Sequence, residues 1–114
     1  MPSINYTLYF ANWCGHCVTF KPEWDKFAEH VKSSGNNING VKINVERIED
    51  SELGSSANAP TINGKKIMGY PTVKIALTND DNKTTEYEYT GQRNLSALMN
   101  QMKSNDIKEM KHSK

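Results

Sequence analysis

An α/β class, with a mixed central sheet of about four strands and flanking helices, is predicted by three observations. A continuous apolar stretch, YTLYFA at 6–11, leads into a helical stripe and then into an alternating strand, GVKINVE at 40–46. Strand, helix, strand in that order implies a parallel pair joined by a right-handed crossover. Two further strand-like runs, PTVKIAL at 71–77 and TTEYEY at 84–89, flank the turn sequence NDDN and read as an antiparallel hairpin.

Each element has its own warrant. YTLYFA is β-branched and aromatic with almost no polar break, which suits a central strand covered on both faces. From Cys14 onward, Phe20, Trp24, Phe27, Ala28 and Val31 form one stripe of an amphipathic helix, which SSGNN from Ser33 ends. Pro22 falls inside that helix, where its missing N–H should bend the axis one turn after the cysteines. Val41, Ile43 and Val45 alternate with Lys42, Asn44 and Glu46, a period of two. RIEDSEL at 47–53 predicts a short helix before Gly54. GSSANAPTINGKKIM follows, rich in small residues, with Asn63-Gly64 as a tight turn. Leu95, Leu98, Met99 and Met102 give a final helical stripe with Asn94 as N-cap, and the polar tail after Ser104 is expected to fray. The expected division is therefore a domain over 1–104 and a tail over 105–114.

Length and charge exclude several functions. The 114 residues give room for one hydrophobic core. Lys plus Arg number 14 against 13 Asp plus Glu, a net charge of +1, so no surface that tracks phosphates is expected, and nucleic acid is not an expected ligand. No apolar run is long enough to span a bilayer, and a soluble chain without a membrane partner is expected. MPSINYTLYFA lacks a basic region followed by a long apolar one, and KHSK is not a retention sequence, so the cytoplasm is the expected location. An oxidising lumen is the alternative should the chain begin further upstream, or a viral particle should the source be a large DNA virus. Three N-x-S/T sequons, at Asn5, Asn82 and Asn94, would matter only in such a lumen.

The chemistry concentrates in WCGHC. Cys14 and Cys17 are the only cysteines, and a bridge over so short a loop restricts the unfolded chain little, so a structural staple explains them poorly. At a helix N-terminus, unpaired N–H groups and the dipole favour the thiolate of Cys14, which makes it the nucleophile. Cys17, nearly one turn on, can attack a mixed disulfide formed at Cys14. His16 between them, when protonated, adds positive charge near Cys14 and makes the disulfide more oxidising; alternatively it is a solvated loop residue. Zinc is the rival reading, but one pair of thiolates supplies only half of a closed tetrahedral site, and His30 and His112 have no paired spacing. No metal ligand set is assigned.

WCGHC resembles the active site of protein disulfide isomerase domains, and the wider pattern resembles the thioredoxin superfamily. LYFANWCGHC followed by Pro22 resembles the family's active-site strand and kinked helix, VKINVE its next strand, MGYPTVKI its cis-proline strand, and YTGQR before a helix its ending. The resemblance runs from about Tyr6 to Met102. It implies a thioredoxin-like fold with Pro71 in a cis peptide beside the dithiol, and with backbone groups of Tyr70 exposed to an extended substrate chain. A trans turn that merely starts a strand is the structural alternative for Gly69-Tyr70-Pro71. Gly15 belongs to the motif, Trp13 shapes the substrate surface, and Arg93 in GQR resembles an arginine that tunes the resolving cysteine, with a solvated arginine as its alternative.

The departures from the family are specific. The usual N-terminal strand and helix are missing, and the loop around 54–65 is longer than usual, so that it either covers the site and shapes partner choice or is an ordinary surface insertion. Six residues before the first cysteine the family buries an acid that helps move the resolving cysteine's proton; here the residue is Leu8. Lys42 resembles the lysine that pairs with that acid. Turned inward without a carboxylate it would be desolvated, favouring a neutral amine that accepts the proton of Cys17; alternatively it extends to solvent along its stem. The expected activity is thiol–disulfide exchange with protein substrates bearing thiols or disulfides, by a monomer needing no cofactor. Glutathione or a thioredoxin reductase-like donor would supply electrons. CGHC leans towards the roughly −180 mV of disulfide isomerase rather than the roughly −270 mV of thioredoxin, while a reducing cytosol favours reductase action, so the direction stays open. The alternative class is a non-catalytic binding or assembly module of the same fold.

Overall fold

The computed structural model describes residues 2–49, 61–67 and 69–103. The first strand, β1 (Ser3–Phe10), is followed by α1 (Gly15–Ser33), β2 (Asn37–Ile38) and β3 (Val41–Glu49). A small hairpin of β4 (Thr61–Ile62) and β5 (Lys65–Lys66) precedes β6 (Thr72–Thr78), β7 (Thr84–Glu88) and α2 (Leu95–Gln101). The main sheet has the order β2-β3-β1-β6-β7, with β1 parallel to β3 and antiparallel to β6. The four expected strands are β3, β1, β6 and β7, and β2 adds a fifth at the β3 edge.

The fifth strand comes from a turn the sequence does contain. Asn39 and Gly40 both have positive φ, 55° and 84°, and they fold β2 back on β3. Asn-Gly is the residue pair that a two-residue hairpin with twist matching its strands demands. Asn63-Gly64, with φ of 55° and 81°, makes the same turn between β4 and β5, as expected.

Two expectations are corrected. The predicted helix over 47–53 begins instead as strand: β3 continues through Arg47, Ile48 and Glu49, which pair with Leu8, Tyr9 and Phe10. Parallel pairing to a central strand outweighs the helix preference of Arg and Glu. Arg47 is further held by Asp25 at 3.6 Å and lies over the Phe10 ring. The second is Lys42, whose inward-turned reading gives way to the solvent-extended one. It is exposed and pairs with Ser3, seven positions along β1 from Phe10, which at strand rise is about 23 Å from the dithiol end. Its amine is at the wrong end of the sheet to accept a proton from Cys17. The rest of the 47–53 segment, the loop over 54–60 and the tail over 105–114 lie outside the described residues.

One face of the sheet carries the core. Ile4, Tyr6, Leu8 and Phe10 alternate inward from β1 to meet Phe20, Trp24, Phe27 and Val31 of α1, with Tyr6 edge-on to Phe27 at 5.2 Å. Helix α1 runs through Pro22 without interruption. Asn94 caps α2 by accepting from the Ala97 N–H at 2.8 Å, as expected. The Leu95 N–H is taken by Glu23 of α1 at 3.1 Å, so the middle of α1 is tied to the start of α2.

After β7 the chain turns under a buried tyrosine. Tyr89 donates its hydroxyl to the Gln92 carbonyl at 2.6 Å, and Gly91 sits against the ring so closely that an added Cβ would be 2.6 Å from the hydroxyl oxygen. Gly91→Ala is expected to displace the ring and cost about 1–3 kcal/mol, read as a lower denaturant midpoint with unchanged slope.

Candidate active site

The dithiol sits where β1 hands over to α1. Cys14 adopts the extended backbone of an N-cap (φ −90°, ψ 115°), and its sulfur accepts the Cys17 N–H at 3.2 Å. The cysteine thus occupies the position where Ser or Asp usually answers a helix's unpaired donors, and where negative charge meets the helix dipole favourably. Its thiol also donates to the Tyr70 carbonyl at 3.6 Å. Both cysteines are free thiols. Cys14 keeps 8% of its surface open and Cys17 none, an asymmetry that gives only the first direct access to a partner.

The Tyr70–Pro71 peptide is cis. Thr72, which the sequence did not single out, donates its hydroxyl to the Gly69 carbonyl at 2.7 Å and closes the turn beside Cys14. Trp13 is 74% exposed and edge-on to Tyr70 at 5.9 Å, forming an apolar rim above the sulfur. Val18 on α1 is also exposed, at 56%. Gly15 and His16 are exposed on the first turn.

Burial pushes the Cys17 thiol up to about 11, and the hydrogen bond and charge of Cys14 push in the same direction. A backbone hydrogen bond from Ala11 and the guanidinium charge of Arg93 oppose it. Arg93 reaches this position from the Tyr89 turn, on the rim of a 230 Å³ cavity floored by Phe20, Pro71 and Val73. The site therefore unites Trp13, Cys14, His16, Cys17, Tyr70, Pro71 and Arg93, and leaves Lys42 apart. Leu8, six residues before Cys14, is fully buried in the core. Among the described residues, no group of three or more His, Cys, Asp or Glu side chains is placed to hold a metal ion. Nor is any helix there long and apolar enough to cross a membrane.

The family model for thioredoxin matches residues 6–104. This chain belongs to the thioredoxin family. It is 33% identical over 95 residues to the protein disulfide-isomerase of Oryctolagus cuniculus and 32% identical over 95 residues to that of Gallus gallus. Each alignment covers 83% of this chain but only 16% of the relative, so the thioredoxin-family chain spans a small part of those proteins. Among solved structures, the first thioredoxin domain of mouse protein disulfide-isomerase A4 is 26% identical, with a TM-score of 0.53, covering 89% of this chain and 61% of that one. Human ERp44 in a zinc-bound form shares the fold at 21% identity and a TM-score of 0.66, covering 89% of this chain and 26% of that one. The thioredoxin-type fold and its isomerase-type dithiol motif, expected from WCGHC and GYPT, are thus those of the family.

Proposed function

We propose that this chain is a thiol–disulfide oxidoreductase that exchanges disulfides with protein substrates, Cys14 attacking and Cys17 resolving. The Cys14 thiolate attacks one sulfur of a substrate disulfide, a mixed disulfide forms, and the departing substrate thiolate takes up a proton. Cys17 then loses its proton and attacks the Cys14 sulfur; a Cys14–Cys17 disulfide forms and the second substrate thiol leaves. The substrate gains two electrons and the chain loses two. Run backwards, the same steps oxidise a dithiol.

The observation that carries the reading is the Cys14 sulfur at the helix cap, 3.2 Å from the Cys17 N–H and 3.6 Å from the Tyr70 carbonyl, under the rim of Trp13. The Tyr70–Pro71 turn is the platform for an extended substrate chain. His16 supplies positive charge on the exposed side when protonated. The compartment sets the direction: a reducing cytoplasm keeps the pair reduced and makes it a reductase, and an oxidising lumen reverses it. Glutathione and a reductase protein are the electron donors this chemistry fits.

Titrating the purified dithiol against glutathione is the test. A two-electron transition is expected, with a midpoint between about −270 and about −180 mV. Thiol content that stays constant across that whole range would exclude the reading.

A further inference from the structure

On the side of the Tyr70–Pro71 turn occupied by the β4–β5 hairpin, a groove of about 470 Å³ opens, which extends the substrate platform beyond the turn. The hairpin contributes Ile62, Lys65 and Lys66 to its lining, β7 contributes Glu88, and Ile67 and Pro71 add further apolar surface. The hairpin is pinned in place. The Asn63 N–H donates to a Glu86 carboxylate oxygen at 3.0 Å, and the Asn63 amide donates to the Glu86 carbonyl at 2.6 Å. Glu86 is itself clamped by Lys74 at 2.9 Å. A two-residue turn fixed at its tip to a sheet strand is a rigid wall, and rigid walls lose little freedom on binding.

That wall is basic. Lys65 and Lys66 are both exposed and border the groove, and among the described residues neither makes an ion pair. Two exposed lysines without ion-pair partners among the described residues, in a groove that also includes Ile62, Ile67 and Tyr70, whose carbonyl accepts from the Cys14 thiol, match an extended chain bearing carboxylates. Glu88, which also lines the groove, repels the same carboxylates and so favours their placement at the lysines.

We propose that the groove seats an acidic, extended segment of the protein substrate next to its reacting cysteine, with Lys65 and Lys66 reading its Asp or Glu side chains. This rests on the exchange activity proposed above and adds the substrate class. Charges at an interface rim act chiefly on the association rate and are screened by salt, so the selectivity belongs to the attack step and fades as ionic strength rises.

The test compares two unstructured peptides, each carrying one disulfide and differing only in acidic or basic residues beside it, with hydroxyethyl disulfide as a neutral substrate. For the reduced wild-type chain, attack on the acidic peptide is expected to be about five- to tenfold faster than on the basic one at low salt, with the ratio approaching one at high salt. K65E/K66E should invert the ratio, and K65A/K66A should bring it close to one. A wild-type ratio near one at low salt, or a ratio that both double variants leave unchanged, overturns the substrate class while reaction with hydroxyethyl disulfide upholds exchange. Failure of the wild type to react with all three substrates would instead overturn the exchange activity itself.

Discussion

Cys14→Ser is expected to lose disulfide exchange entirely, whereas Cys17→Ser should still attack and then stall as a mixed disulfide with its substrate. The difference follows from the two environments. The sulfur of Cys14 is open to a partner and accepts a helix N–H, so its replacement by an alcohol removes the nucleophile. Cys17 is shut inside the core, so its loss leaves the first step intact and removes the only internal route out of the intermediate. Turnover in both variants should fall by more than about 100-fold. Mass spectrometry after acid quench separates them: substrate bound to the Cys17→Ser chain, none bound to Cys14→Ser. A chain acting as a binding module would keep its biological activity in Cys14→Ser, and that outcome would favour the alternative class.

The second large effect is on pH. Burial and the neighbouring Cys14 raise Cys17 to about 11, so only about one molecule in ten thousand has it ionised at pH 7 in the reduced chain. Once Cys14 is bound to substrate sulfur, its charge is gone, while burial still opposes ionisation and Ala11 and Arg93 still favour it. Resolution is thereby eased at the stage where it is needed. Because burial keeps the thiolate a minority, release of the second substrate thiol should quicken by up to about tenfold per pH unit from pH 6 to 8. Arg93→Met removes a charge that lowers Cys17, so it should slow resolution by about three- to tenfold and affect attack less. Rapid-quench measurement of the two steps checks both; a release rate independent of pH would contradict the assignment of Cys17.

The residues that were legible in the sequence are those whose role is local. Phe20, Trp24, Phe27 and Val31 announce α1 by spacing alone, Val41 and Ile43 announce β3, and Cys14 announces the site because the chemistry of a cysteine at a helix start needs no distant partner. Arg47, Ile48 and Glu49 concealed their strand because what holds them there is β1 alongside, which no local pattern carries. Lys42 was misplaced for a related reason: the register of a parallel pair is set by the whole sheet, and it puts Ser3 rather than Leu8 beside that lysine. The Asn39-Gly40 turn was readable, and the Asn and Gly cluster around it masked the signal. Glu23 gave no sign, since its partner is 72 positions away.

That carboxylate ties the helix bearing the sulfurs to the one that begins two residues beyond Arg93. The Leu95 N–H and Lys26 hold Glu23 below the usual carboxylate range, so the clasp is whole near neutrality and opens only in acid, when the proton returns as pH drops through that lowered value. Until then, a displacement of either helix is felt by the other. The guanidinium that eases the second thiol is therefore leashed, through one oxygen atom, to the scaffold that carries that thiol.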